Sequence, residues 1–130
     1  MQILLDTSVL IDVLRRRRGR TQWMAQLLRD GHTLCTSALN VAEVHAGMRL
    51  EEEERTRALL DPLTCYEITA GVARRGGQLK NQWGRRGHTL TLADTLIAAV
   101  ALENGLPLAT DNRKDFPMPE LKLFARPDSA

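Results

Sequence analysis

The stretch ILLDTSVL, residues 3–10, decides the fold class of this chain. Branched apolar residues typical of a buried strand run directly into Asp6, and apolar residues resume at Val9 and Leu10. A short buried strand that gives way at once to a helix is the opening of a βαβ unit. The stretch therefore predicts an α/β fold, and it raises the question of why a carboxylate stands where the strand ends.

The rest of the chain repeats this alternation of short apolar runs and helical patterns. We predict strands at about 2–5, 33–36, 63–66, 107–110 and 122–124. Helical patterns lie between them, after a possible Ser37 cap, in the acidic segment from Glu51 to Leu60, and most clearly from Ala93 to Ala101. This order indicates a central, mainly parallel sheet flanked by helices.

The length of 130 residues suits one domain, which we expect to span 1–130 with a flexible tail from about residue 127. The net charge is only +2, so a nucleic-acid partner would have to meet local basic clusters. The clusters are an arginine run at 15–18 with Arg20, and the pairs at 74–75 and 85–86. Their alternative reading is a solvated surface, or cations near helix C-termini.

The cysteines and the apolar runs limit the cellular setting. Cys35 and Cys65 form no CxxC pair and have no His at metal-ligand spacing, which predicts two buried free thiols. The longest apolar run, from Leu96 to Leu102, is too short to span a bilayer. The N-terminus has its acid before its arginines, the reverse of a signal peptide, so we expect a cytoplasmic protein without membrane contact.

Acidic residues recur where predicted strands end or helices begin. Asp6 follows the first strand, Glu43 shares a helical face with apolar residues, and Asp94 opens the clearest helix. Asp111, Asn112 and Asp115 follow the strand at 107–110. Taken singly, each has a structural alternative as a helix cap, as a residue at the edge of the apolar face of a helix, or as a turn residue.

Taken together, these acids favour a metal site. In open parallel sheets the carboxyl ends of the strands form the ligand-binding edge. Carboxylates about 5 Å apart repel by about 3 kcal/mol at an effective dielectric of 20, against about 1 kcal/mol for a helix cap. If they converge, they must bind protons or a divalent cation, and an all-oxygen set favours Mg²⁺ or Mn²⁺. Phosphodiester hydrolysis is the natural reaction, with Thr7, Ser8, Thr110 and Asn112 as polar support.

Three motifs carry a resemblance to a known family. They are LLDTSVLID at 4–12, TSALNVAEVHAG at 36–47 and LTLADTLIAAVALENGLPLATDNRKDF at 90–116. With these motifs the chain resembles PIN-domain ribonucleases, and more narrowly the VapC-type toxins of bacterial toxin–antitoxin pairs. The resemblance implies a PIN-like three-layer fold and a Mg²⁺- or Mn²⁺-dependent endoribonuclease with metal or catalytic acids at Asp6, Glu43 and Asp94.

The fourth acid departs from the family pattern. Many relatives carry an acid two residues after the threonine of the fourth strand, where this chain has Asn112. We therefore predict Asp111 as the fourth catalytic and metal-binding acid, with Asp115 as the next choice. The resemblance also implies a homodimer, a cognate antitoxin and structured RNA such as tRNA as substrate, and we predict RNA-backbone contacts from Arg15, Arg16, Arg17 and Arg18.

Three other classes compete with this interpretation. A haloacid-dehalogenase-type phosphatase needs a second acid two residues after the first, and Ser8 stands there. A phosphoacceptor receiver domain expects a lysine at a strand end, where this chain has none. The remaining alternative is a non-catalytic PIN-fold module that binds RNA or protein, and metal-dependent turnover would separate it from a nuclease.

Overall fold

In the computed structural model, which describes residues 1–124, one sheet holds four parallel strands in the order β3-β2-β1-β4. They are β1 (Gln2–Leu5), β2 (Thr33–Ser37), β3 (Thr64–Tyr66) and β4 (Leu108–Ala109). The first four predicted strands are thus confirmed. The predicted tail from residue 127 lies outside the described residues.

The fifth predicted strand, at 122–124, is wrong as a strand. Leu123 makes only an isolated parallel bridge to Leu108, through the 2.9 Å bond from Leu108 N to Lys122 O and the 2.7 Å bond from Phe124 N to Leu108 O. Because β4 is two residues long, it offers too little backbone for a longer ladder on that side.

Among the described residues, six α-helices surround the sheet. They are α1 (Thr7–Leu14), α2 (Arg20–Arg29), α3 (Ala38–Gly47), α4 (Glu53–Leu60), α5 (Ala70–Arg85) and α6 (Leu92–Asn104). The predicted Ser37 cap is present at the start of α3. The predicted acidic helix at 51–60 is in part a short 3-10 helix, Leu50–Glu52, before α4 begins.

The helices pack in two layers, one on each face of the sheet. On one face, α5 and α6 cover Leu4 and Leu108, and on the other the core around Ile3 and Leu5 includes residues of α1 to α4. Alternate residues of β1 point to opposite faces, so a strand covered on both sides reads as a continuous apolar run. The three-layer α/β architecture is therefore as expected.

The packing of α5 on α6 depends on Gly76. A Cβ atom there would lie 2.7 Å from Leu96 Cδ2 and 3.2 Å from Leu96 Cα, so the helices could not approach this closely with a larger residue. Glycine is unfavourable inside a helix, but at this position it allows α6 to pack closely against α5. Helix α6 carries Asp94 in its first turn.

Parallel strands bring several chain segments to one edge, which we call the carboxyl edge. β1, β2 and β4 end there, and α1 and α3 begin there. Helices α2 and α6 lead back to the starts of β2 and β4, so they also begin at this edge, whereas α5 runs the other way and ends there. Asp6, Glu43 and Asp94 all lie near this edge.

The structure tests the predicted burial of the two cysteines and the predicted lack of a membrane-spanning helix. Cys35 is buried as predicted, but Cys65 is exposed, because it lies on β3 at the open edge of the sheet. Within residues 1–124, no helix combines the length and the apolar character needed to cross a bilayer.

Candidate active site

Asp6 is a buried carboxylate that joins the ends of two neighbouring strands. Its side chain is held from α1 and from the residue that follows β4: Oδ1 accepts from Thr7 N at 2.9 Å, and Oδ2 accepts from Thr110 Oγ1 at 2.7 Å and from Ser8 Oγ at 3.5 Å. The residue is 4% exposed. The predicted capping role is therefore real, but it uses only one of the two carboxylate oxygens.

Glu43 is held beside Asp6 through Thr7. Thr7 Oγ1 donates to Glu43 Oε1 at 2.7 Å and accepts from Asn40 Nδ2 at 2.9 Å. A hydroxyl has one proton, so the amide of Asn40 forces Thr7 to direct its proton at Glu43. The carboxylate of Glu43 is thus tied to the first turn of α1, where Asp6 is the cap.

Asn40 is a buried residue of this network that was not among the predicted site residues. Its backbone N donates to Ser37 Oγ at 3.2 Å, and its Oδ1 accepts from Ser37 N at 3.2 Å, which completes a capping box at the start of α3. The Ser37-x-x-Asn40 spacing is the sequence signal that indicates this role. The same amide fixes both the start of α3 and the direction of Thr7.

The electrostatics show that Asp6 faces other acids. Burial raises the pKa of Asp6, hydrogen bonds from Thr110 and Thr7 oppose that rise, and repulsion from Asp94 and Glu43 adds to it. Desolvation and like charges both disfavour the ionised form. Glu43 and Asp94, which lie 37 and 88 residues after Asp6 in the chain, therefore come close enough in the fold to repel its carboxylate.

Asp94 connects this group to Asp115. It lies in the first turn of α6, where its backbone N donates to the Thr91 cap at 3.1 Å. Burial raises the pKa of Asp94, hydrogen bonding to Thr91 opposes the rise, and Asp115 and then Glu43 raise it further. We call Asp6, Glu43, Asp94 and Asp115 the acid cluster.

Asp111 lies in a different setting from the acid cluster. Both of its carboxylate oxygens accept from Arg20 Nη2 at 2.7 Å, and Arg20 is fully buried. Arg18 Nη1 lies 3.7 Å from the same carboxylate. Two guanidinium groups thus neutralise Asp111, and it is absent from the groups that raise the pKa of Asp6 or Asp94.

The polar residues around Thr110 have unequal parts. Thr110 is buried, and its hydroxyl accepts from Asn112 N at 3.0 Å while it donates to Asp6. Asn112 therefore acts through its backbone, and its side chain is exposed. Ser8 makes only the long contact with Asp6, which is too weak to orient the carboxylate.

The arginine run after α1 is divided between internal contacts and solvent. Arg15 donates to Gly47 O at 3.4 Å and lies 3.7 Å from Glu52, and Arg18 bridges Asp12 and Asp111. Arg16 and Arg17 are exposed. Arg20, which reads as part of this basic run in the sequence, is the buried partner of Asp111.

The donor chemistry of the acid cluster fits a hard divalent cation. Among residues 1–124, no three His, Cys, Asp or Glu side chains stand close enough together to hold one ion directly between them. Mg²⁺ commonly uses one or two carboxylates and keeps several water ligands, so it does not require such a closed set. Asp6, Glu43, Asp94 and Asp115 offer only oxygen, and their mutual repulsion would be relieved by a cation.

Comparison with known proteins places this geometry in a family. The family model described as PIN domain matches residues 3–118. Ribonuclease VapC10 of Mycobacterium tuberculosis is 36% identical over 116 residues, which cover 89% of this chain and 86% of that protein. Ribonuclease VapC19 of the same species is 31% identical over 120 residues, covering 92% of this chain and 96% of that protein.

Solved structures agree with this fold. A toxin–antitoxin complex from Klebsiella pneumoniae contains a chain with a TM-score of 0.75 and 30% identity, covering 92% of this chain and 94% of that one. A chain of VapBC2 from Rickettsia felis, bound to a promoter DNA fragment, has a TM-score of 0.83 at 21% identity over 95% of this chain and 98% of that one. On the family model and the two ribonucleases, this chain belongs to the PIN-domain family and, within it, to the VapC proteins.

Proposed function

We propose that this chain is a Mg²⁺- or Mn²⁺-dependent endoribonuclease that hydrolyses RNA phosphodiester bonds and acts as the toxin of a toxin–antitoxin pair. The observation that carries the proposal is the placement of Asp6, Glu43 and Asp94 at the carboxyl edge, where Glu43 is tied to the first turn of α1 through Thr7 and both Glu43 and Asp94 repel Asp6. Its support from relatives is that proteins 31–36% identical to this chain are named VapC ribonucleases.

The metal would be held by Asp6 and Asp94, with Glu43 and Asp115 binding its water ligands or a second ion. When bound, such an ion polarises a phosphoryl oxygen and makes hydroxide available near neutral pH. The chain's own residues orient these acids: Thr110 holds one oxygen of Asp6, and Thr7, directed by Asn40, holds one oxygen of Glu43.

We assign the fourth acid to Asp115 rather than Asp111. Repulsion from Asp115 raises the pKa of Asp94 more than repulsion from Glu43 does, so Asp115 lies within the field of the cluster. Both carboxylate oxygens of Asp111 accept hydrogen bonds from the buried guanidinium of Arg20, which neutralises most of the negative charge that a metal cation would need. A cation bound at Asp111 would also have to break this ion pair.

The partners follow from the relatives. Structures of similar chains are toxin–antitoxin complexes, so we assign to this protein a cognate antitoxin that blocks the acid cluster. An arginine of the antitoxin would pair with these carboxylates and take the place of the metal. We also assign to it a cytoplasmic location, a homodimeric state and a structured RNA substrate such as tRNA.

The direct test is RNA cleavage by purified protein. Wild type should cleave RNA with Mg²⁺ or Mn²⁺ and stop when chelator is added, and the variant Asp6→Asn/Asp94→Asn should be inactive. Circular dichroism and thermal unfolding should show that the variant is folded. Undiminished cleavage by the variant would refute the assignment, and RNA binding without metal-dependent turnover by wild type would favour the non-catalytic module.

A second test addresses the toxin role. Induced expression of wild type should arrest growth of a bacterial host, whereas Asp6→Asn at equal protein level should not. If both arrest growth equally, toxicity does not arise from the acid cluster. Sequencing of RNA ends after induction would then identify the cleaved RNA and the cut position.

A further inference from the structure

Two segments of this chain carry positive charge and no acid: residues 13–29, where Arg15, Arg18 and Arg20 already contact acids from elsewhere in the chain, and residues 68–93. Residues 68–93 contain five Lys or Arg and no Asp or Glu, although the whole chain has 18 against 16. The remainder of the chain is therefore net acidic, with 13 basic and 16 acidic residues. A segment of this kind is the electrostatic footprint expected for a nucleic-acid contact.

Residues 68–93 end directly before Asp94, a member of the acid cluster. Helix α5 packs antiparallel on α6, since Arg75 near the start of α5 lies 3.3 Å from Glu103 near the end of α6. Because Gly76 lies against Leu96, the last turn of α5 extends past the first turn of α6, which carries Asp94. Lys80 Nζ donates to Leu90 O at 2.6 Å, which fixes the connection between the two helices.

At this end of α5, cations and aromatic rings lie together. The Arg86 guanidinium lies 4.8 Å from the centroid of the Trp83 ring, and the His88 ring meets Trp83 edge-on at 5.3 Å. Arg85, Arg86 and His88 are exposed, and among residues 1–124 neither arginine has an acidic partner within 4.0 Å. We call Trp83, Arg85, Arg86 and His88 the basic end of α5.

We propose that the basic end of α5 is the surface that holds the substrate RNA strand next to the acid cluster, with Arg85 and Arg86 on phosphates and a base stacked at Trp83 and His88. Aromatic rings interleaved with arginine bind single-stranded RNA without demanding one sequence. The acid cluster repels phosphates, so a strand that reaches it requires cations on its flank. This inference rests on the proposed ribonuclease function and adds the substrate contact.

The chain supplies a matched control for these two arginines. Arg74 and Arg75 belong to the same acid-free segment, but they lie eleven residues earlier on α5, about 16 Å away along the helix. The variants Arg85→Gln/Arg86→Gln and Arg74→Gln/Arg75→Gln therefore remove equal charge from opposite ends of one helix. Any effect of net charge alone must appear equally in both.

The experiment is the binding of a fluorescent single-stranded RNA oligonucleotide, measured by anisotropy in chelator so that no cleavage occurs. Two lost phosphate contacts should weaken binding by about tenfold near 0.15 M salt and lower the slope of log K against log salt by about 1.4. We expect this for Arg85→Gln/Arg86→Gln and at most a small change for Arg74→Gln/Arg75→Gln. Equal losses in the two variants, or no loss in the first, would overturn the proposal.

Cleavage and size measurements separate this proposal from the proposed function. If wild type cleaves RNA and Arg85→Gln/Arg86→Gln binds and cleaves as wild type does, the nuclease assignment stands and the surface is wrong. If wild type binds RNA through these arginines but never cleaves it, the surface stands and the nuclease assignment fails. A change of oligomeric state in Arg85→Gln/Arg86→Gln by size-exclusion chromatography would make this a protein interface and overturn the RNA proposal.

Tryptophan fluorescence tests the stacking part. The chain has two tryptophans, so Trp23→Phe leaves Trp83 as the only tryptophan. RNA should then quench or shift the emission of Trp83, and the change should be weaker in Arg85→Gln/Arg86→Gln at the same RNA concentration. Saturating RNA that leaves this emission unchanged would rule out a base at Trp83.

Discussion

Two aspartates near the end of β4 show how neighbours decide what a carboxylate can do. Asp115 faces Asp94 in the acid cluster, where burial and like charges raise the pKa of Asp94. Asp111, four residues earlier, is paired at 2.7 Å with the buried guanidinium of Arg20. The first carboxylate belongs to a group whose repulsion a cation would relieve, and the second already has its cation.

The comparison separates a binding role from a structural one. Arg20 lies at the start of α2 and Asp111 directly follows Thr110, so their ion pair ties α2 to the loop after β4. That loop carries Thr110, which holds Asp6, and Asp115, which faces Asp94. The ion pair thus positions the cluster without belonging to it.

The largest expected effect is on cleavage in Asp6→Asn. Loss of the carboxylate removes several kcal/mol of transition-state stabilisation, so kcat/KM should fall on the order of 10³-fold. Asparagine caps helices as well as aspartate does, and its carbonyl oxygen can still accept from Thr7 N. The fold should therefore persist by circular dichroism, and activity within tenfold of wild type would contradict the role of the cluster.

The reverse pattern is expected for Asp111→Asn. Arg20 would remain fully buried without its counter-charge, which costs about 3 kcal/mol of unfolding free energy. In a chain of this size the melting temperature should fall by about 10 °C. Cleavage by the folded fraction, measured well below that temperature, should stay within a few-fold of wild type.

A double variant shows whether this loss comes from the unpaired cation. Arg20→Met/Asp111→Asn has no buried charge at this place, so it should be more stable than Asp111→Asn alone. If Asp111→Asn were stable and inactive, Asp111 would be the fourth acid, as the sequence alone predicts. The assignment of a structural role to Asp111 and a metal-binding role to Asp115 would then be wrong.

Asp115→Asn should have an intermediate effect on activity and none on folding. An acid that binds the metal or its water contributes about ten- to a hundredfold, so cleavage should fall by that factor and the half-saturating Mn²⁺ concentration should rise. The free energy of unfolding in urea should be unchanged or higher, because Asp94 loses a repelling neighbour. Unchanged Mn²⁺ dependence would exclude Asp115 from the cluster.

The sequence predicted the fold, and it placed the acids at one edge of the sheet, because both follow from local patterns. Alternating apolar runs fix the strands, and parallel strands bring their ends to one edge, so Asp6, Glu43 and Asp94 could be expected together. The failure of the predicted fifth strand was harder to foresee, because pairing there depends on the length of β4 and not on the apolar residues at 122–124.

Two features could not be predicted from local patterns. Arg20 sits in a run of arginines that reads as surface, and only its tertiary contact with Asp111, 91 residues away, accounts for its burial. Gly76 lowers the helix propensity of α5, but its lack of a side chain allows Leu96 of α6 to pack against it. Asn40 is different, since its capping-box spacing after Ser37 is visible in the sequence.

The smallest effect is on the pH dependence of stability in metal-free protein. Burial holds the pKa of Asp6 above its ordinary value of 3.8, so between that value and the raised pKa the folded state binds more protons than the unfolded chain. Stability should therefore decrease as the pH rises through this window, because the slope follows the difference in bound protons. The hydrogen bonds from Thr110 and Thr7 oppose the rise and keep the effect small.

The comparison of wild type with Asp6→Asn isolates this contribution. Asparagine does not titrate, so the variant should lose part of the decrease that wild type shows in urea unfolding above pH 3.8 without metal. Mn²⁺ at neutral pH should stabilise wild type by binding the folded state, and it should stabilise Asp6→Asn less. Asp111→Asn should respond to Mn²⁺ as wild type does, since its carboxylate already has Arg20; an equal loss of the response in both variants would remove the distinction between the two groups of acids.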